Sequence, residues 1–269
     1  MPPRRLILVL AAALAAAGGG CGDDPAAGPP DAPKPAQTVD QPPKALPLSP
    51  ELTAAARLIA EQKIEQARTR LEAHVAEHPD DGRAAFLLGL TYHREKRYTL
   101  ARPWFESAAR LAPDYHTVHH FHGWCLYYLG DMPGALAAFN RHLEAVPNEG
   151  DSHFALGLIA LNDDRLDDAQ RRFAAAIELQ RDRSGRQRDV SKAHARLADV
   201  HIRRGELEEA KTQLLLATEL WPKHYAAFYK LSRVLHRLGQ DAAADNAFRQ
   251  FRVQEQWARR RRGVPEQVP

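Results

Sequence analysis

The chain has 269 residues, of which 44% are hydrophobic and 26% are charged, and its formal net charge is +3. This size and composition fit a folded body of one or two ordinary domains. This net charge is too small to indicate a nucleic-acid partner. The basic residues also alternate with acidic ones, as they do on solvated helix faces. Abundant alanine and only 7% aromatic residues favour helices over strands.

The first 20 residues have the pattern of a targeting segment. Arg4 and Arg5 precede an apolar run over residues 6–17, and three glycines lead from this run to Cys21. The run is shorter than the roughly 20 residues that a membrane span needs, but it fits the apolar region of a signal peptide. We therefore expect residues 1–20 to be a signal peptide.

A cysteine directly after small residues resembles the signal of bacterial lipoproteins, in which cleavage precedes the cysteine and the cysteine carries a lipid. The resemblance implies lipidation of Cys21 and, because Gly22 rather than aspartate follows, a place on the outer membrane facing the periplasm. The lipoprotein signal prefers leucine three residues before the cysteine, where this chain has Gly18. Cleavage after Ala17, which would release a soluble periplasmic protein, therefore stays open.

Residues 21–50 are rich in proline, alanine, aspartate and glycine. Such a composition cannot bury enough apolar surface to offset the entropy lost on ordering, so we predict a disordered tether. Extended at about 3.1 Å per residue, it could hold a folded body up to roughly 90 Å from an anchor. A disordered tail is predicted for residues 263–269. Cys125, the other cysteine, lies in a helical apolar run and is predicted to be a small buried residue.

From Glu51 onward, apolar residues recur at steps of three and four, which indicates helices throughout. Superimposed on this period is a longer pattern that returns every 34 residues, the spacing of stacked helical hairpins. Its copies are Leu88, Gly89, Tyr92, Ala101, Phe105, Ala108 and Pro113; then Gly123, Leu126, Ala135, Phe139 and Pro147; then Leu156, Gly157, Ala169, Phe173 and Ala176.

These residues resemble the tetratricopeptide repeat, which has leucine and glycine at positions 7 and 8, tyrosine at 11, alanine at 20, phenylalanine at 24, alanine at 27 and proline at 32. The match covers about residues 51–262 in six repeats. It implies an all-α right-handed superhelix of about six helical hairpins. The pattern slips at an arginine-rich insertion, residues 181–190, into which we expect the second helix of repeat four to overrun.

A histidine cluster at the start of repeat three could be read as a metal site, because His116 and His120 stand four residues apart on one helical face. However, His119 fills a large packing position of the repeat, and His153 and His194 fill the same position in the next two repeats. This recurrence indicates packing between repeats. The sequence has no phosphate-binding, dinucleotide-binding, nucleophile-elbow or zinc-protease motif. No metal, cofactor, catalytic residue or enzyme activity is predicted.

In the tetratricopeptide family, positions 2, 5, 9, 12 and 13 of each first helix line a concave groove. The resemblance implies a groove that is aromatic in its middle and basic toward its C-terminal end, and these residue types often dominate binding. We expect an exported adaptor that holds an extended or helical segment of an envelope protein there. The alternative is a structural spacer or a self-associating homo-oligomeric scaffold without a peptide site. The predicted groove residues are Phe86, His120, Trp124, Tyr127, Tyr128, Phe154, Tyr229, Arg233 and Arg237.

Overall fold

A computed structural model of the chain describes residues 48–261. The predicted signal peptide, Cys21, nearly all of the predicted tether and the tail at residues 263–269 lie outside these described residues. The described part forms twelve α-helices and no strand, which confirms the all-α prediction. The helices are α1 Pro50–Ala60, α2 Ile64–Glu77, α3 Gly82–Arg94, α4 Tyr98–Leu111, α5 Thr117–Leu129, α6 Met132–Ala145, α7 Gly150–Asn162, α8 Leu166–Gln180, α9 Gln187–Arg204, α10 Leu207–Leu220, α11 Tyr225–Arg237 and α12 Asp241–Arg261.

Consecutive helices pack against each other along the whole series, so that α1 and α2 form the first hairpin and α11 and α12 the sixth. First helices of neighbouring hairpins also touch, as α1 does with α3, α3 with α5, and α7 with α9. The six hairpins therefore stack into a solenoid, as predicted, with the first helices of the repeats on one side. Among residues 48–261, no helix combines the length and apolar character that a membrane crossing requires.

Within a hairpin, the two helices come close because a glycine faces a large ring. A Cβ atom added at Gly157 would lie only 2.6 Å from Cε1 of Phe173. The same juxtaposition occurs in three hairpins, namely Gly89 with Phe105, Gly123 with Phe139, and Gly157 with Phe173, and all three rings are fully buried. Two other hairpins have a leucine in place of the phenylalanine, and there an alanine takes the place of the glycine. These pairs are Ala55 with Leu71 in repeat one and Ala198 with Leu214 in repeat five. The repeat pattern thus reflects a limit on combined volume.

Proline fixes the ends of four second helices. The helices α2, α4, α6 and α10 each end two residues before Pro79, Pro113, Pro147 or Pro222. The intervening residue leaves the helical region, with φ between −139° and −130° and ψ between 67° and 88°. This is expected because a proline ring disfavours the α conformation of the residue before it.

The insertion after repeat four corrects one prediction. The helix α8 ends at Gln180 and does not overrun into the arginine-rich residues. Instead, a turn over residues 181–186 contains Gly185 at φ +79°, and α9 begins early, at Gln187. The extra residues therefore lengthen the first helix of repeat five, which has 18 residues against 13 in α7.

The prediction for Cys125 is confirmed. Its side chain is fully buried, and its S–H group donates to the carbonyl oxygen of Tyr98 at 3.2 Å. A thiol in this position packs as a small apolar side chain.

Candidate functional site

The first helices of repeats three to six line a cavity of about 680 Å³, which we call the groove. Its volume is within the range of ordinary ligand sites. One side of the groove is aromatic and apolar, and the other carries charges. The lining side chains from first helices include Trp124, Tyr127, Tyr128, Phe154, Leu158, Asp189, Lys192, Arg196 and Lys230, and α8 contributes Ala176 and Gln180.

The aromatic side of the groove consists of rings that hold one another in place. The ring of Tyr128, 52% exposed, stacks on Tyr98 with centroids 4.6 Å apart and on Trp124 with centroids 5.8 Å apart. The indole of Trp124 also makes edge contacts with Tyr127 at 5.6 Å and with Phe139 at 5.5 Å. Because the rings are already ordered, a ligand that packs on them would lose little side-chain entropy in the protein.

Phe154 continues this surface into repeat four. Its ring lies 5.7 Å from that of the buried Phe173 and is itself only partly buried, so that it also lines the groove. Trp124, Tyr127, Tyr128 and Phe154 therefore line one cavity, and their role in binding a partner stays a prediction.

The other side of the groove contains an ion-pair cluster around Asp199. The ammonium of Lys230 lies 2.6 Å from Oδ1 of Asp199, and Arg196 donates to Oδ2 at 3.2 Å. Burial lowers the pKa of Lys230 below its ordinary value, although the carboxylate of Asp199 acts in the opposite direction. Two cations thus share one carboxylate here.

Lys230 also lines a second cavity, of about 270 Å³, next to the groove toward the C-terminus. Tyr229, Arg233 and Arg237, which were predicted to line the groove, line this adjoining cavity and not the groove itself. The guanidinium of Arg233 lies 5.9 Å from the ring centroid of Tyr229, which is 41% exposed. Neither Arg233 nor Arg237 forms an ion pair with any carboxylate of residues 48–261.

His224 lines the groove in a defined protonation state. Its Nδ1 is 2.8 Å from the hydroxyl oxygen of Ser191, and that hydroxyl lies 2.7 Å from the carbonyl oxygen of Ala217. The single hydroxyl proton goes to the carbonyl, so Nδ1–H of His224 must donate to Ser191 and Nε2 is left as an acceptor. Burial lowers the pKa of His224 to about 4, so the ring is neutral at pH 7.

The Ser191–His224 pair is not a nucleophile with its general base, despite the short distance. The serine is fully buried, its proton is directed to a backbone carbonyl, and the histidine donates to it. An activated serine would require the opposite direction of donation. The Ser191–His224 pair is therefore a structural hydrogen bond.

Two predicted groove residues are corrected. Phe86 is only 3% exposed and packs against Phe121 of the next repeat and Tyr115 of the turn that leads to it, with centroids 5.6 Å and 5.0 Å away. It belongs to the core. His120 is partly buried between repeats three and four, where its Nδ1 lies 3.0 Å from the buried hydroxyl of Ser152. Neither residue lines the groove.

The recurring histidines also differ in part from expectation. His119 is 5% exposed and packs in the core as predicted. His153 and His194 contact Arg172 at 3.3 Å and Gln213 at 2.7 Å, and both partners lie on the second helix of the same hairpin. The contact of His194 is therefore within its own repeat, whereas His153 contacts two repeats, because its Nε2 also lies 3.0 Å from the carbonyl oxygen of Pro147, which closes repeat three. In the described residues, no three histidine, cysteine or acidic side chains converge as metal ligands would.

Several lining residues were not predicted. Asp189 lies in the insertion and accepts from Lys192 at 2.9 Å and Arg186 at 3.2 Å. Arg196, Lys230 and His224 occupy positions outside the set that the repeat pattern assigns to the groove. The only sequence signal for them is that their side chains are polar, which does not show toward which neighbouring helix each side chain is directed.

Comparison with known families agrees with this fold. The tetratricopeptide repeat model matches residues 52–116, 154–217 and 195–252, which together are more than half of the chain. The chain belongs to the tetratricopeptide repeat family. No curated protein sequence matches it.

Solved structures with the same architecture are similar over most of the chain. PilW, titled a widely conserved type IV pilus biogenesis factor, has a TM-score of 0.65 and 18% identity, covering 76% of this chain and 91% of PilW. The Cut9-Hcn1 hetero-tetramer of the APC/C has a TM-score of 0.65 and 17% identity over 76% of this chain, which spans only 39% of that chain. YrrB, titled a protein with an unusual peptide-binding site, has a TM-score of 0.55 and 22% identity, covering 66% of this chain and 89% of YrrB. At these identities the likeness establishes the fold.

Proposed function

We propose that this protein is a non-enzymatic adaptor that binds an extended or helical segment of another protein in the groove. The observation that carries the proposal is the pre-ordered aromatic surface of the exposed Tyr128 and the half-buried Trp124 and Tyr127, which lines a cavity of about 680 Å³. Exposed, rigid aromatic rings are typical of residues that dominate protein recognition. The fold shared with YrrB and PilW supports a role in protein interaction.

We further propose that the adaptor is exported and held at the outer membrane, facing the periplasm, by a lipid on Cys21, and that its partner is an envelope protein. The basic start, the apolar run and the cysteine after glycines support this location. The Cys21→Ser variant should leave the membrane fraction and lose incorporation of labelled fatty acid. A variant that stays with the membrane would contradict lipid anchoring, and a wild-type protein found free in the periplasm would support the soluble alternative.

The groove is tested by site-specific crosslinking in cells. A photoreactive amino acid at position 128 should capture a partner that mass spectrometry identifies, and Trp124→Ala should weaken that capture. A photoreactive residue at position 110 is the control, because Arg110 is exposed but lies outside the groove. Equal capture at both positions would contradict a dedicated site. Helical circular dichroism must be unchanged in the variant.

A self-associating scaffold is the second candidate function. The observation that favours it is the apolar surface of the C-terminal repeats, where Leu215, Leu216 and Val253 are 49%, 38% and 58% exposed. Exposed apolar side chains in one region are common at contacts between chains. Light scattering on the purified protein separates the two functions. A stable dimer that Leu215→Ala with Leu216→Ala converts to a monomer would favour the scaffold.

A further inference from the structure

The chemical character of the groove changes along its length. At repeats three and four the surface is formed mainly by the uncharged side chains of Trp124, Tyr127, Tyr128, Phe154 and Leu158, and the one charged lining residue of these repeats, Asp151, is paired with Arg186. From repeat five onward, charged side chains line both the groove and the adjoining cavity. A segment that fills the groove therefore meets an apolar surface at one end and a charged surface at the other.

The charged end has an excess of cations that the protein itself does not neutralise. The two cavities are lined by three carboxylates, and each already has a cationic partner within the protein: Asp151 has Arg186 at 3.5 Å, Asp189 has Lys192 at 2.9 Å, and Asp199 has Lys230 at 2.6 Å. The five lining cations are Lys192, Arg196, Lys230, Arg233 and Arg237.

The cations without an acidic partner lie on α11, the first helix of repeat six. Arg233 and Arg237 stand one helical turn apart, so they project from the same face of α11. Both are exposed, and neither has an acidic partner among residues 48–261. The guanidinium carbon of Arg233 lies 5.9 Å from the centroid of the Tyr229 ring, a contact with the ring face that does not use the N–H donors of the arginine. Two such groups can each bind a carboxylate through paired hydrogen bonds.

We infer that the segment bound by the groove has an aromatic or large apolar anchor at one end and at least two carboxylates at the other. This inference rests on the proposed function and adds the chemistry of the partner. The anchor packs on the ring surface of Trp124 and Tyr128, and the carboxylates pair with Arg233 and Arg237. Aromatic rings with arginines can also bind single-stranded nucleic acid. However, Asp151 and Asp189 already pair with cations in and beside the groove, so a phosphate backbone lying on the rings would find lining arginines without an acidic partner among residues 48–261 only at Arg233 and Arg237.

The test uses the full chain and labelled peptides of about twelve residues whose binding is followed by fluorescence anisotropy. Three peptides share a Trp-Leu-Phe anchor and differ only in the second half, which carries glutamates, glutamines or lysines. A fourth has the glutamates but serines in place of the anchor, and a single-stranded oligonucleotide is included. We expect the anchored glutamate peptide to bind about tenfold more tightly than the glutamine peptide, with the lysine peptide weakest. This preference should shrink as salt screens the charges.

Matched variants test whether Arg233 and Arg237 cause the preference for the glutamate peptide. Arg233→Gln with Arg237→Gln should reduce the preference for glutamate over glutamine to less than about threefold, and should leave affinity for the glutamine peptide unchanged. The control is Arg249→Gln with Arg252→Gln, which changes the net charge equally at two exposed positions of α12 outside both cavities. The control should keep the preference.

The outcomes separate the inference from the proposed function. Equal affinities for the glutamate and glutamine peptides, or a preference that survives in the Arg233 and Arg237 variant, would overturn the inference. The adaptor proposal would still stand if Trp124→Ala with Tyr128→Ala abolished binding of both peptides. Failure of every peptide to bind, or tighter binding of the oligonucleotide, would overturn both.

Discussion

Single residues set the distance between the two helices of a hairpin, and Gly157 shows this most sharply. We predict that Gly157→Ala lowers the free energy of unfolding by about 1–3 kcal/mol, because the new Cβ would lie 2.6 Å from Phe173. This loss should occur although alanine is favoured over glycine in a helix by about 1 kcal/mol. Urea unfolding followed by circular dichroism measures the change.

The control for this prediction is a double-mutant cycle. Phe173→Leu should recover part of the loss caused by Gly157→Ala, because repeat five holds alanine and leucine at these two positions with both side chains buried. The coupling between the two substitutions should be about 0.5–3 kcal/mol. Strictly additive effects would mean that the glycine has another role.

Buried histidines make the protein sensitive to acid. Burial lowers the pKa of His142 to about 4, and the neighbouring His120 acts in the same direction, while Glu149 opposes it. The pKa of His119 is also lowered to about 4, chiefly by burial and then by Arg141. Both rings are at most 5% exposed. Between pH 6.5 and about 4 the unfolded chain therefore binds more protons than the folded protein.

The sign of this linkage gives a prediction. The free energy of unfolding should be at its full value above pH 6.5 and should fall as the pH is lowered toward 4, by on the order of 1 kcal/mol for each such histidine. Urea unfolding at pH 7, 6 and 5 measures the slope. His142→Gln preserves a hydrogen-bonding partner for Ser152, which lies 2.9 Å from Nδ1 of His142, but cannot be protonated. If the slope is unchanged in this variant, His142 is not one of the groups responsible.

At the scale of helices, the sequence predicts best those ends that a local rule controls. Proline ends α2, α4, α6 and α10 through its effect on the preceding residue, which needs no knowledge of the tertiary structure. Repeat four has Arg181 in that place, and α8 continues to Gln180. There the outcome depends on non-local contacts, such as that of the Gln180 amide with Asp151 at 3.3 Å. The local sequence pattern cannot predict such contacts.

The groove residues also differ in whether the local sequence alone predicts their exposure. Trp124, Tyr127 and Tyr128 occupy repeat positions that face the groove in the structure. Position 5 of the repeat behaves differently, because the next repeat can cover it. Phe86 at this position is buried by Phe121 of repeat three and by Tyr115 in the turn before it, whereas Tyr229, in the last repeat, is 41% exposed. Exposure at position 5 therefore depends on the neighbouring repeat and cannot be predicted from one repeat alone.

The end of α8 allows a direct test. Arg181→Pro introduces the residue that other repeats have, but it removes an N–H that donates to the carbonyl of Ile177 at 2.9 Å and forces Gln180 out of the helix. We predict a loss of about 1–3 kcal/mol in the free energy of unfolding, and weaker peptide binding because Gln180 lines the groove. Arg181→Ala keeps the N–H and is the control. Equal stability of the two variants would contradict this explanation.

At the scale of the whole molecule, a stack of hairpins has two ends and an interior. Each hairpin contacts only its neighbours, so stability is close to a sum of repeat and interface contributions. Position 24 of the repeat shows how the interior hairpins differ from the last one. Phe105, Phe139 and Phe173 are fully buried there, whereas Phe248, in the last repeat, is 42% exposed. A seventh hairpin that could cover Phe248 is not among the described residues.

The same substitution at this position should therefore have very different effects. We predict that Phe139→Ala lowers the free energy of unfolding by about 3–5 kcal/mol, because it leaves a cavity in the core. Phe248→Ala should lower it by less than about 1 kcal/mol, since much of the ring already contacts water. Urea unfolding at two protein concentrations measures both. If Phe248→Ala proves as damaging as Phe139→Ala and its effect grows with protein concentration, a second copy must cover α12. The self-associating scaffold would then replace the monomeric adaptor as the better account of this protein.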